Sequence, residues 1–465
     1  MSLGETARGE GGLRSLPLPA AVLKACENVL GDGADKATRR QALFAFLIRV
    51  ASAGIAYLSQ VFLARWMGSF EYGIFVFAWV WVLILGGLTP LGFSTSVMRF
   101  IPEYRESGRQ ERLRGILLGA PLVAVGVSTL AMLAILGGLA AFGHMMQGYY
   151  LVPAVLMVFC LPLYSLVDVQ DGIARAYGWI DAALLPPYIL RPLLVLAAIA
   201  GAYLLGFEAD AVTAAGAAVV ACWVTGVVQA VYIRSRVRRQ LGPGPRSYEF
   251  GLWMRVSLPI LLVSSFGMVM QNTDILVLSK YMQPDDVAIY FAALKTISLV
   301  AFVHFAVGTA VAKQFAALKT RNDTQGLRQT ARRAVHWTFW PTLAGGAIIL
   351  ALGQPLLWLF GEDFVAGYPV MFMLALGLLA HASVGPAEFV LNMLGEQSRC
   401  AAVLFMAAAL NLCLNFLLIP LYGLTGAAIA TAGSSALAAL LMAIIARRRL
   451  GLDLFIAMPA RGASQ

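Results

Sequence analysis

Seven ionisable side chains fall inside long apolar runs of this sequence: Arg49, Arg191, Asp274, Lys295, His304, His381 and Glu388. Charge surrounded by hydrocarbon is costly, so such groups face a bundle interior or a water-filled cavity. Arg49 has Ser52, Ala56 and Gln60 continuing its face at helical steps, which makes a narrow polar stripe. Its planar guanidinium fork suits phosphate, and the alternative is an arginine that snorkels to the headgroups. Arg191 lies deeper, among apolar neighbours, which points to a cavity or a buried ion pair. Phe291, Lys295, Ser298, Phe302 and Phe305 share one helical face, cationic and aromatic, able to hold an anionic group. A structural pair between Lys295 and Asp274, or plain packing of the Phe residues, fits the same pattern. His304 points to the opposite side and reads as a packing histidine.

Ser264, Gln271 and Asp274 share a second face, and His381, Glu388 and Asn392 align on a third. A carboxylate buried in this way can take up and release a proton, so Asp274, Glu388 and His381 are candidates for ion coupling. Solvation of Glu388 at a helix end, and a structural tie by Asp274 between neighbouring helices, are the alternatives. Asn411 and Asn415, one turn apart, are expected to make interhelical hydrogen bonds beside Gly426, Ala427 and Ala428. Asp168 and Asp171 read as capping or loop-fixing groups. The four His and five Cys show no zinc-ligand spacing, and no P-loop, GxSxG or HExxH occurs. No catalytic role, metal or other cofactor is therefore expected.

The elements that must position these groups follow from composition. Of 465 residues, 60% are hydrophobic and 12% charged, with a mean hydropathy of +0.78. A water-soluble chain carries about 25% charged residues, so a soluble enzyme of this length is excluded. The fold class is an all-α polytopic membrane protein. Apolar runs place twelve transmembrane helices near 42–64, 74–98, 115–140, 150–170, 182–204, 211–233, 256–280, 286–312, 334–359, 367–392, 399–420 and 424–446. Prolines at or within them, Pro162, Pro259 and Pro386 among others, predict kinks.

The net charge of +10 reflects topology rather than nucleic-acid binding. With both termini cytoplasmic, the only Lys or Arg in the outside loops are Arg65 and Lys280, and Arg49, Arg191 and Lys295 lie within spans. Every other Lys or Arg falls on the inside. The chain then divides into a cytoplasmic N-terminal tail (1–41), a six-helix half (42–233), a basic cytoplasmic linker (234–255), a second six-helix half (256–446) and a cytoplasmic C-terminal tail (447–465). In the N-terminal tail, Ala20–Leu30 fits either a short amphipathic surface helix or a disordered segment. An internal repeat supports the halves. A shift of 215 sets Arg65-Trp66-Met67 on Lys280-Tyr281-Met282, and a shift of 217 sets Asp171 on Glu388 and Gly178 on Gly395. Parallel halves of this kind are common in transporters that bind substrate between them.

Asn411–Thr431, NLCLNFLLIPLYGLTGAAIAT, resembles a signature of the Wzx-type polysaccharide flippases. These belong to the multidrug/oligosaccharidyl-lipid/polysaccharide (MOP) exporter superfamily, with the multidrug (MATE) exporters and the peptidoglycan-precursor flippases. The first hairpin, LARWMGSFEYGIFVFAW (63–79) with Met98–Glu103, and NTDILVLSKYM (272–282) look like the same group. Two departures choose the branch. The first span, Ala42–Leu63, lacks the acidic residue common in drug exporters, and twelve spans are fewer than the fourteen usual in peptidoglycan-precursor flippases. The resemblance implies a MATE-like fold in a bacterial inner membrane. It implies a cargo of polyprenyl-pyrophosphate-linked oligosaccharide, moved from the cytoplasmic to the periplasmic leaflet for O-antigen or exopolysaccharide assembly. Arg49, Arg191 and Lys295 would bind the pyrophosphate, with Gln60, Ser298, Phe302 and Phe305 lining the cavity. Proton, sodium or membrane-potential coupling stays open. Membrane lipids, and polymerase or export components, are the implied partners. The alternatives are a cation-coupled small-molecule exporter, an integral-membrane glycan-assembly enzyme and a non-transporting scaffold.

Overall fold

The computed structural model describes residues 36–321 and 323–456. The Ala20–Leu30 expectation lies outside them. Residues up to Leu47 belong to one compact unit, whose described part is helical. The second unit, Ile48–Gln465, carries the features below.

All regular structure among the described residues is helical. In the first part of the chain lie α1 (Lys36–Leu88), α2 (Phe93–Glu106), α3 (Gln110–Phe142), α4 (Gly148–Val158), α5 (Leu161–Ala176), α6 (Ile180–Leu185), α7 (Arg191–Leu204) and α8 (Ala211–Gln240). A π-helical turn, Pro186–Leu190, joins α6 to α7. The second part holds α9 (Phe250–Tyr281), α10 (Pro284–Thr320), α11 (Thr324–Ala351), α12 (Gly353–Trp358), α13 (Tyr368–Ala382), α14 (Ala387–Met393) and α15 (Gln397–Ile445).

Nine segments among the described residues are long and apolar enough to cross a membrane, or ten if α4 and α5, bent by 48°, form one span. Two of the nine, Ile48–Glu106 and Gln397–Leu450, run for 59 and 54 residues. One crossing needs only about 20 residues. Each contains a glycine with non-helical backbone, Gly68 (φ 80°) and Gly423 (φ 56°). Positive φ is accessible to glycine without a Cβ clash, so the chain can redirect there while hydrogen bonding resumes on either side.

The expected single face of His381, Glu388 and Asn392 is corrected here. Helix α13 ends at Ala382, Gly385 takes φ 61°, and α14 starts at Ala387, so the continuous 3.6-residue phase that aligned the three does not exist. Pro386, which cannot continue the hydrogen-bond ladder, sits in the break. Gly178 and Gly395, matched by the repeat, both adopt positive φ, at 74° and 91°.

Near one end of the helices the two parts of the chain meet through α2 and α9. Trp253, fully buried, donates its indole N–H to Tyr104 Oη at 3.0 Å, and Tyr104 Oη donates to Glu249 at 2.9 Å. Arg112 pairs with Glu249 at 3.1 Å, and Ser96 and Ser257 share a 2.6 Å hydrogen bond. Near the other end, Arg65 donates to the carbonyls of Leu359 and Trp358, both at 2.8 Å. Ser69 donates to Asp285 at 2.5 Å. Truncating a buried Trp costs about 3–5 kcal/mol. Trp253→Ala is expected to lower the melting temperature of the detergent-solubilised protein, and an unchanged melt would show that this junction is not stabilising.

Candidate functional site

Arg191 opens α7 directly after the π-helical turn and is half-buried. Its guanidinium lies 4.9 Å from the ring centre of Tyr164 on α5 and 5.5 Å from that of Trp79 on α1. The expected apolar setting is thus an aromatic one, whose π faces attract a cation without neutralising it. Trp79 also stacks on Phe75 and meets Tyr164 edge-on at 6.3 Å. A Cβ on Gly86 would lie 2.4 Å from the Tyr164 ring, so only glycine there lets that ring seat. Ser165, the next residue, shares a 2.5 Å hydrogen bond with Thr89 and so fixes α5 to the region just beyond α1.

Arg49 lies 5.4 Å from the ring centre of Tyr188. Tyr188 is three residues before Arg191 on one helical stretch, so the two are side-chain neighbours. Tyr188 therefore bridges the surroundings of Arg49 and Arg191. Lys295 stands apart on α10. Its Nζ lies 4.9 Å from the Phe291 ring centre. Neither Arg191 nor Lys295 forms an ion pair among the described residues, so no Lys295–Asp274 pair is made.

The α10 face divides between environments. Phe291 is buried against Tyr72, with ring centres 6.3 Å apart, whereas Ser298 is exposed and donates to the Lys295 carbonyl at 2.8 Å. Phe302 is half-buried, and the Phe305 side chain lies outside the described residues. Gln60 accepts from Tyr72 Oη at 2.8 Å, and Tyr57 shares a 3.3 Å hydrogen bond with Thr296. The polar stripe is therefore partly spent within α1 itself, and Tyr57, which lies outside the stripe, ties α1 to α10.

Asp274 is enclosed. Its Oδ2 accepts from Tyr290 Oη at 2.6 Å and from the Thr431 hydroxyl, and its Oδ1 accepts from Asn415 at 2.8 Å and Asn411 at 3.4 Å. Asn415 also donates to Asn411 Oδ1 at 3.0 Å. The carboxylate thus joins α9 to α10 and to both arms of α15, solvated by neutral donors. Glu388 is half-buried in the first turn of α14. His381 meets His304 with ring centres 4.7 Å apart and planes tilted by 47°. Asp171 pairs with Arg175 at 2.6 Å.

Sequence reasoning missed Trp79, Tyr164 and Tyr188 because aromatic residues in apolar helices carry no periodic mark of their own. Among the described residues no cluster of three or more His, Cys, Asp or Glu could hold a metal.

A family described as polysaccharide biosynthesis protein matches residues 38–312, and a second, described as MatE, matches 259–417. The chain is 26% identical to the EPS I polysaccharide export inner membrane protein EpsE of Ralstonia nicotianae, over 76% of this chain and 78% of the relative. It is 24% identical to a putative O-antigen transporter of Shigella flexneri, over 81% and 89%. An inward-facing multidrug resistance MATE family transporter of the MOP superfamily superposes with a TM-score of 0.69 at 16% identity, covering 93% of this chain and 98% of that one. The lipid II flippase MurJ in an inward closed conformation gives 0.69 at 14% identity, covering 87% of each. The fold is therefore that of the MOP superfamily.

Two substitutions test these clusters. Asp274→Ala leaves buried donors without an acceptor, at about 1–3 kcal/mol each, so a fall in melting temperature is expected that exceeds the fall for Asp274→Asn. Gly86→Val should push Tyr164 aside and impair activity while the protein still reaches the membrane. Wild-type activity of that variant would dissociate the ring from the site.

Proposed function

The chain belongs to the polysaccharide biosynthesis protein family, and on that premise we propose that it is a flippase for polyprenyl-pyrophosphate-linked oligosaccharide in a bacterial inner membrane. The observation that carries the reading is Arg191, a membrane-embedded cation held by two aromatic rings with no carboxylate paired to it among the described residues. An anion is the complementary ligand, and a guanidinium offers pyrophosphate parallel hydrogen bonds. Arg49 adjoins the same aromatic group through Tyr188, and Lys295 would meet the head from α10 as the two halves close. The names of the matched export and O-antigen relatives support surface polysaccharide as the destination.

In this reading the chain crosses the membrane twelve times, with Gly68 and Gly423 turning the two longest segments back and both termini in the cytoplasm. The cytoplasm-open state takes the charged head while the polyprenyl tail stays in lipid. Rocking of the halves then releases the head on the far side. Membrane potential assists export of negative charge by about 2.3 kcal/mol per charge per 100 mV. Asp274, Glu388 and His381 are the proposed residues for any coupling to protons or sodium. Polysaccharide polymerase or export components are proposed partners beyond the lipid-linked sugar.

The test is deletion of the gene, with polyprenyl-linked oligosaccharide and surface polysaccharide measured together. Lipid-linked units should accumulate while surface polymer falls. Wild type should restore both, whereas Arg191→Ala at equal membrane level should lose at least tenfold in rate. Normal glycan pools with new sensitivity to cationic dyes would instead identify a drug exporter.

A further inference from the structure

His304 on α10 and His381 on α13 face each other with ring centres 4.7 Å apart and planes tilted by 47°. The Nδ1 of His304 is buried and has no hydrogen-bond partner among the described residues. His381 occupies the last turn of α13, immediately before the break at 383–386. That break is held from two sides. The backbone N–H of Ile456, near the end of the described chain, donates to the Ser383 carbonyl at 3.0 Å. Gly385 is pressed against α11, where a Cβ would lie 2.8 Å from Val335 Cα.

The titratable groups on the elements packed around the pair include His336, Arg328, Arg332 and Arg333 on α11, Glu388 on α14, Arg399, Cys400 and Cys413 on α15, Asp274 on α9 and Lys295 on α10 itself. None of them makes a hydrogen bond, ion pair or ring contact with either imidazole among the described residues, and Asp274 is enclosed by its own donors.

We infer that His304 and His381 together form a site for one proton at the break between α13 and α14. A neutral imidazole carries one ring nitrogen with a lone pair able to accept a proton, and a second neutral imidazole in ring contact can accept the N–H so formed. The first proton is shared as N–H⁺···N between the rings. The second is opposed, because it would place two positive charges in contact. Drawing the rings into hydrogen-bond range pulls the end of α13 toward α10 and shifts the Ser383 carbonyl against the 451–456 segment. Proton binding at this pair thus sets the angle of the break. Its use in a transport cycle rests on the flippase reading, but proton binding itself does not.

The experiment uses the full-length protein in detergent without cargo. Exchange of the imidazole C2 hydrogen with deuterium, followed by mass spectrometry from pH 5 to 9, gives a titration for each of the four histidines. His304 and His381 are expected to titrate as a linked pair taking up one proton, with exposed His144 as the independent control. His381→Gln should move the His304 midpoint by tenfold or more in proton concentration. Backbone amide exchange over 383–393 should change in the same pH interval in wild type and not in His381→Gln. Asp274→Asn and Glu388→Gln should leave both transitions in place. Absence of titration of both rings between pH 5 and 9, independent titration of the two histidines in wild type, or an unmoved His304 midpoint in His381→Gln, overturns the inference. Because no cargo is present, either result leaves the gene-deletion test of the flippase standing.

Discussion

A charge placed inside an apolar bundle must be solvated by the bundle itself, and the whole arrangement of this chain answers that constraint in two different ways. Asp274 receives four donors from three other stretches of chain, so its charge is consumed in joining helices. Arg191 receives two aromatic faces and, among the described residues, no carboxylate, so its charge is tolerated without being cancelled. The first solution produces a fixed joint, and the second leaves an electrostatic demand that a ligand can meet. The same contrast separates Arg175, already paired with Asp171, from Lys295, which lies over Phe291.

The family signature acquires a physical meaning through Asp274. The segment 411–431 was recognisable as a string of residues, but its chemistry lies in Asn411, Asn415 and Thr431 converging on a carboxylate 137 to 157 residues away in NTDILVLSKYM. Small residues help make this possible. Gly426, Ala427 and Ala428 are buried where the second arm of α15 begins, so its backbone packs closely enough for short side chains to reach across.

Apolar runs, intramembrane cations and the aligned glycines Gly178 and Gly395 were legible in the sequence because each is a local property of composition or backbone conformation. The breaks were legible only as prolines. Pro386 announced a kink, but the loss of helical phase between His381 and Glu388 depends on four residues adopting irregular backbone, which periodicity assumes away. The aromatic surroundings of Arg191 were not legible, since Trp79, Tyr164 and Arg191 come from three separate helices. Neither was the meeting of His304 and His381, which a single helical wheel cannot register. The residues of the α10 face differ in setting for a related reason: Phe291 packs on α1 while Ser298 is exposed, and a wheel records direction without recording what lies there.

The ties between the first and second parts of the chain differ in kind at the two ends of the helices. At one end Arg65 binds backbone carbonyls and lies 4.6 Å from the Trp358 ring centre, while Ser69 reaches Asp285, a set in which no cation pairs with an anion. At the other, Arg112 and Glu249 form an ion pair only partly shielded from solvent, backed by Tyr104 and Trp253. Mobile ions screen the second kind of tie far more than the first. The junction held by Arg112, Glu249, Tyr104 and Trp253 is consequently the one whose strength answers to ionic strength, while the tie made by Arg65 and Ser69 is largely indifferent to it.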